Sequence, residues 1–97
     1  MIRHIVCFKL KPGENREKAA DVLLSMKGRV PQLIDIEVGV DFLHSARSCD
    51  VVLSVLLENK EALTAYQSHP YHCETVKKYM HAVVESSVSA DFEVGKN

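Results

Sequence analysis

Two hydrophobic periodicities follow one another along this chain, and their order restricts the folds open to it. Apolar residues recur at every second position in a strand and about every 3.6 positions on one side of a helix. Strand-type segments lie at 2–10, 34–42, 51–57 and 84–94. Helix-type segments lie at 19–30 and, in two parts, at 59–80. The predicted order is therefore strand, helix, strand, strand, helix, strand.

The strand segments differ in how their apolar residues are arranged. In the first, 2–10, one side carries Ile2, His4, Val6, Phe8 and Leu10. In the second, which alternates most regularly, one face holds Ile34, Ile36, Val38, Val40 and Phe42. The third, 51–57, is apolar on both sides, which is typical of a central strand with both faces covered. The fourth, 84–94, alternates apolar with Ser and acidic residues.

Both helical segments carry boundary signals. Asn15 is a predicted N-cap for the first, whose apolar stripe runs from Ala19 to Val30 before Pro31. Asn59 is a predicted N-cap for the second. Proline suits the first position of a helix and pushes the preceding residue towards an extended conformation. Pro70 therefore predicts two helices that meet at a bend.

This order predicts an α+β fold of the ferredoxin-like type, with β-α-β-β-α-β topology in a single domain spanning 1–97. The four strands form an antiparallel sheet with the helices on one face. In strands one and three, apolar residues occupy both odd and even positions and therefore point to both faces of the sheet. The face without helices would then expose a larger apolar patch than monomers usually tolerate. We therefore expect a second copy to cover it, giving a two-fold homodimer in the form of a dimeric α/β barrel.

Composition excludes several classes of protein. Twelve Lys and Arg residues stand against thirteen Asp and Glu, so the positive charge needed for nucleic-acid binding is missing. The apolar run 51–57 is too short to span a membrane, and the N-terminus is unlike a signal peptide. We expect a cytoplasmic protein. The three cysteines lack a CxxC spacing, and no phosphate or dinucleotide loop is present, so neither a structural metal nor a cofactor is predicted.

Four segments together resemble a known family. They are MIRHIVCFK at 1–9, DVVL at 50–53, LTAYQSHPYH at 63–72 and DF at 91–92. These residues resemble the stress-responsive dimeric A/B barrel (Dabb) family over nearly the whole chain, and the Tyr-x-x-His-Pro-x-His stretch is the most specific part. The resemblance implies a ferredoxin-like dimeric barrel. Most members are known as stress-associated or uncharacterised proteins, but a plant polyketide cyclase of this family closes its substrate by aldol condensation.

One group of residues is a candidate site. Tyr66, His69 and His72 cluster around Pro70, and His4 projects from the apolar face of the first strand. His72 falls in the first turn of a helix, where the dipole favours the neutral imidazole that a general base requires. A phenol such as Tyr66 donates to a developing oxyanion. By resemblance, Tyr66 and His72 occupy the catalytic positions of the cyclase, with His72 removing a proton next to a carbonyl group.

The predicted pocket is small and apolar and takes a small hydrophobic carbonyl compound. Its predicted lining is His4, His69, Leu23 and Met26. The cyclase has bulky residues in its first helix where this chain offers Ala19, Leu23 and Met26, so its substrate does not carry over.

Several alternatives stay open at this stage. The histidines would equally serve to fix the bend in a non-catalytic, stress-protective homo-oligomer, so whether the protein is an enzyme is left undecided. A metal shared by His69 and His72 is disfavoured because Pro70 disrupts the helical spacing between them. By resemblance, Mg²⁺ at the dimer surface is an option for which the sequence marks no ligands.

Overall fold

The computed structural model describes residues 1–95, and its elements follow the predicted β-α-β-β-α-β order. The strands are β1 (Ile2–Leu10), β2 (Asp35–Val40), β3 (Val51–Leu57) and β4 (Val84–Glu93). The helices are α1 (Arg16–Leu24), α2 (Lys60–Ser68) and α3 (Lys78–Val83), with a π-helical segment, Tyr71–Lys77, leading into α3. The predicted ferredoxin-like α+β fold is confirmed.

The four strands form one antiparallel sheet in the order β2-β3-β1-β4. The two inner strands are therefore β3 and β1, and β3 is central as predicted. The register places His4 of β1 between Val55 of β3 and Asp91 of β4. Directly opposed residues of neighbouring strands point to the same face of a sheet. The side chains of His4 and Asp91 consequently lie together on one face.

The helices cover one face of the sheet, and the core lies between the two layers. Residues in this core that are at most 2% exposed are Ala19, Leu23, Met26, Val30, Val51, Leu53, Val55, Leu57, Tyr66 and Val76. Along β3, residues of one parity are buried, whereas those of the other are only half-buried. Both faces of β3 were predicted to be covered. This chain by itself covers one of them.

The opposite face of the sheet, which we call the open face, is left uncovered by this chain. It carries Ile5 and Cys7 from β1, Val52 and Leu56 from β3, and Val88, Ala90 and Phe92 from β4. Val88 is 71% exposed and Phe92 is 47% exposed. Between Ser87 and Phe92 the apolar residues of β4 thus lie on the open face and the polar ones share the face of the core, whereas Val84, before a shift in the register, packs against the core. An apolar surface of this kind commonly marks an interaction site.

Two predicted boundaries were too generous. The second strand was predicted at 34–42, but β2 ends at Val40 and Phe42 is 87% exposed in the following loop. The first helical stripe was predicted to reach Val30, but α1 ends at Leu24 and tight turns follow, with Gly28 at a φ of 79°. Met26 and Val30 are still fully buried, because these turns return the chain to the core. The apolar periodicity of this segment therefore continues beyond the C-terminal end of α1.

The predicted helix starts are confirmed. The Asn15 side chain accepts a hydrogen bond from the Lys18 amide at 2.9 Å, and the Asn59 side chain accepts one from the Ala62 amide at 2.8 Å. Each bond satisfies an amide that has no partner within the helix. No helix in residues 1–95 combines the length and hydrophobicity required to cross a membrane.

Candidate functional site

The chain breaks between α2 and the π-helical segment at His69 and Pro70. His69 is extended, with φ −61° and ψ 133°, and Pro70 resumes helical dihedral angles. This is the bend predicted from the sequence, because a residue before proline avoids the helical region. The His69 Nδ1 atom accepts a hydrogen bond from the Tyr71 amide at 3.1 Å. His69 therefore caps the new helical segment with its own ring.

The same break fixes the tautomer of His72. In an uninterrupted helix the Gln67 carbonyl would accept from the amide of Tyr71, but that amide is directed to His69. The carbonyl accepts instead from His72 Nδ1 at 3.2 Å and from the Cys73 thiol at 3.2 Å. A carbonyl oxygen only accepts, so Nδ1 of His72 must carry the proton. In the neutral ring, Nε2 then keeps the lone pair that a general base needs.

His72 is held in this neutral form by its surroundings. Burial lowers the pKa of His72 below its ordinary value, and repulsion from Lys77, His4 and His69 lowers it further, while the hydrogen bond to Gln67 opposes them. The sequence predicted a neutral imidazole from the helix dipole, whereas the structure assigns burial as the main cause. At neutral pH the ring is thus available to accept a proton.

Tyr66 lies beside His72 with its hydroxyl group unsatisfied. The residue is 1% exposed, and its ring centroid is 4.7 Å from that of His72 and 5.9 Å from that of His4. Within residues 1–95 its buried Oη atom has no hydrogen-bond partner. Burial also raises the pKa of Tyr66 above its ordinary value, so the phenol stays protonated and keeps a proton to donate.

His4 completes the cluster from the sheet. It is 8% exposed, and its Nδ1 atom hydrogen-bonds to the Asp91 carboxylate on the neighbouring strand. A carboxylate in this position accepts from Nδ1–H and fixes the orientation of the ring. Asp91 was not among the predicted site residues, although it lies in a strand whose alternation was recognised. The missing information was the register that places it opposite His4.

These side chains line a pocket of about 190 Å³ between the sheet and the helices. Its lining is His4, Val6, Phe8, Leu23, Leu53, Tyr66, His72, Lys77, Met80, His81, Val84 and Ser87. Four of the six predicted site residues are brought together here, namely His4, Leu23, Tyr66 and His72. Met26, which packs in the core, and His69, which lies at the helix break, are not among the lining residues.

Lys77, His81 and Ser87 are lining residues that the sequence did not single out. Lys77 and His81 both lie in the helical region that follows Pro70. The signal available for both was their spacing of four residues, which places them on one side of a helix. In the part of the chain that the structure describes, no three His, Cys, Asp or Glu side chains are grouped in a way that would hold a metal ion.

Comparison with known proteins places this chain in a family. The model of the stress responsive A/B barrel domain, Dabb, matches residues 2–94. Among curated proteins, none matches the sequence significantly. Many solved structures share the fold.

Three of these structures illustrate the similarity. A dimeric ferredoxin-like protein of unknown function from Thermobifida fusca is 23% identical, with a TM-score of 0.81, over 96% of this chain and 90% of that one. The Arabidopsis thaliana protein At3g17210 is 16% identical, with a TM-score of 0.85, over 100% and 98%. The hydroxynitrile lyase of Passiflora edulis is 17% identical, with a TM-score of 0.76, over 99% and 94%. At these identities the structures show the shared fold, and the match to the family model shows that this chain belongs to the stress responsive A/B barrel domain (Dabb) family.

Proposed function

We propose that the protein binds a small, mainly apolar carbonyl compound in this pocket and removes a proton from the carbon next to the carbonyl group. The observation that carries the proposal is the buried, unsatisfied hydroxyl of Tyr66 on a ring that packs against the ring of His72, whose Nδ1 atom is bound to the Gln67 carbonyl. A donor and a base side by side match the two requirements of enolate formation, which are an oxyanion donor and a proton acceptor.

The proposed step uses each group once. Nε2 of His72 takes the proton from the α-carbon, and the electron pair of the C–H bond moves into the new carbon–carbon double bond of an enolate. The Tyr66 hydroxyl donates to the enolate oxygen and stabilises its charge. His4, held by Asp91, lines the same pocket and restricts the orientation of the bound compound. Return of the proton from His72 would regenerate the carbonyl compound.

The size of the pocket restricts the compound. An engineered cavity of about 150 Å³ holds benzene, so about 190 Å³ suits a single ring or a short branched chain. Leu23, Leu53, Phe8 and Met80 supply the apolar part of the wall. The sequence and the pocket therefore support the same class of ligand. The Passiflora edulis hydroxynitrile lyase supports the view that this fold can house an enzyme, although its substrate is not carried over.

We also propose that the protein is a homodimer in which a second copy covers the open face. Support comes from Val88 and Phe92 of β4, which are exposed on the open face, and from the dimeric state of the similar Thermobifida fusca structure. Two sheets packed face to face would bury these side chains and form a dimeric α/β barrel. The alternative function is a stress-protective homo-oligomer without catalysis. It would use the same dimer but would not require the Tyr66 hydroxyl to lack a hydrogen-bond partner. The cytoplasmic location expected from the sequence stays a prediction.

Proton abstraction can be measured with phenylacetone, a neutral ketone whose benzylic hydrogens are acidic. The wild-type protein is expected to accelerate exchange of these hydrogens for deuterium in D₂O, followed by ¹H NMR, beyond an equal concentration of free imidazole. Tyr66→Phe removes one hydrogen bond and should slow exchange by up to about tenfold, the equivalent of roughly 1.4 kcal/mol. Tyr79→Phe, outside the pocket, is the matched control and should leave the rate unchanged. A wild-type rate equal to that of free imidazole would refute the proposed reaction.

A further inference from the structure

The outer part of the pocket carries positive or neutral polar groups and no carboxylate. Lys77 ends the π-helical segment and His81 lies in α3, four residues later. Residues at this spacing share one side of a helix, and both line the same pocket as His72. Ser87 of β4 lines the opposite wall. The pocket lining contains no Asp or Glu, so nothing in it offsets a positive charge at this position.

Lys77 and His81 are unpaired within residues 1–95, where neither side chain forms a hydrogen bond or a salt bridge. The other charged group near the site is satisfied, since Asp91 is bound to His4. Lys77 is close enough to His72 for its charge to affect the imidazole by repulsion. A lysine in the same pocket lining as the proposed base raises the potential where negative charge would enter.

We propose that the ligand is an anion, a small keto carboxylic acid whose carboxylate binds between Lys77 and His81 while its apolar part enters the pocket. This inference rests on the proposed function, because it adds the carboxylate to the carbonyl compound. An ammonium group and an imidazole N–H both donate to carboxylate oxygens, and such charge-assisted bonds are among the stronger ones. The Ser87 hydroxyl offers a further donor from the opposite wall.

Burial distinguishes the inner from the outer lining, since Leu23 and Leu53 are buried whereas Lys77 and His81 are exposed, and this difference would orient the ligand. The ring or alkyl part would contact Leu23 and Leu53, the carbonyl would lie at Tyr66 and His72, and the carboxylate would lie at Lys77 and His81. The positive charge of Lys77 would also stabilise the enolate formed in the proposed step, because its electrostatic potential acts on the enolate oxygen as well as on the carboxylate. A 2-keto acid with an enolisable carbon next to its carbonyl meets these requirements.

Phenylpyruvate and phenylacetone form a matched pair of probes, because they differ only by a carboxylate in place of a methyl group. Isothermal titration calorimetry at low ionic strength is expected to show that phenylpyruvate binds up to about fivefold more tightly than phenylacetone, the upper end of what one exposed charge pair contributes. High salt should reduce this preference. Lys77→Met should abolish most of it, and His81→Gln should reduce it. Lys78→Met is the control, since Lys78 does not line the pocket, and should retain it.

The outcomes separate this inference from the function on which it rests. If both probes bind with equal affinity, or if Lys77→Met and Lys78→Met have the same effect, the carboxylate site is refuted while the carbonyl pocket stands. If neither probe binds, both proposals are refuted. Circular dichroism of each variant shows whether it is folded. If Lys77→Met is not folded, the loss of preference for phenylpyruvate is tested with His81→Gln instead.

Discussion

Replacing His72 with glutamine is expected to reduce the protein-catalysed exchange of phenylacetone hydrogens by about 100-fold or more, because a positioned general base commonly contributes at least this much. The glutamine amide still has an N–H to donate to the Gln67 carbonyl, so the local fold should survive. What is lost is the nitrogen lone pair at Nε2. The rate is measured in D₂O by ¹H NMR at equal protein concentrations.

His44→Gln is the matched control for this prediction. His44 is an exposed loop residue beside Arg16 and outside the pocket, so its replacement should leave the exchange rate unchanged. The pH profile gives a second reading. The base form of His72 exists above its pKa, which burial holds below the ordinary value of 6.5, so the rate should be level at neutral pH and fall as pH drops through the lowered pKa. Equal rates for wild type and His72→Gln would exclude His72 as the base.

Replacing Val88 with aspartate is expected to convert the dimer into monomers. Val88 lies on the open face and is 71% exposed in the single chain, but the proposed partner would cover it. Two-fold symmetry brings two new carboxylates into one interface, and each buried unpaired charge costs several kcal/mol. The dissociation constant should therefore rise by about 100-fold or more, which corresponds to roughly 2.8 kcal/mol. Sedimentation at micromolar protein concentration measures the change.

Val88→Thr is the control, since threonine has nearly the same shape without a charge and should leave most of the protein dimeric. Circular dichroism should show that both variants retain the fold, because Val88 contributes to no part of the core within the chain. Wild-type protein that sediments with the mass of one chain would contradict the dimer itself. A fully dimeric Val88→Asp variant would show that the open face is not the interface.

The fold was predictable because its signals are local. Strand alternation, the caps at Asn15 and Asn59 and the break at Pro70 each depend on a few consecutive residues, and the structure confirms all of them. The ends of elements were less predictable. Phe42 continues the pattern of β2 but lies beyond the last pairing with β3, and the stripe of α1 continues through turns. Tertiary contacts determine where these elements end, and the hydrophobic periodicity of the sequence carries no information about those contacts.

The site was only partly predictable for a different reason. Tyr66 and His72 are six residues apart on one bend, so their proximity follows from local geometry. Asp91 joins His4 only through strand register, which depends on contacts across 87 residues of chain. The spacing of four residues puts Lys77 and His81 on one side of a helix, but the sequence does not show that this side borders the pocket. The assignment of Met26 to the pocket failed to anticipate that the turn after α1 carries it into the core.

The most direct test of the account is to locate bound phenylacetone on the wild-type protein by NMR. Titration with phenylacetone should shift the ring signals of His72 and Tyr66 and the methyl signals of Leu23 in a saturable manner, while His44 in its exposed loop stays unchanged. Such a result would place a carbonyl compound at the unsatisfied Tyr66 hydroxyl. Signals of His72 and Tyr66 that do not move at saturating phenylacetone, or saturable shifts confined to another surface, would contradict the central claim.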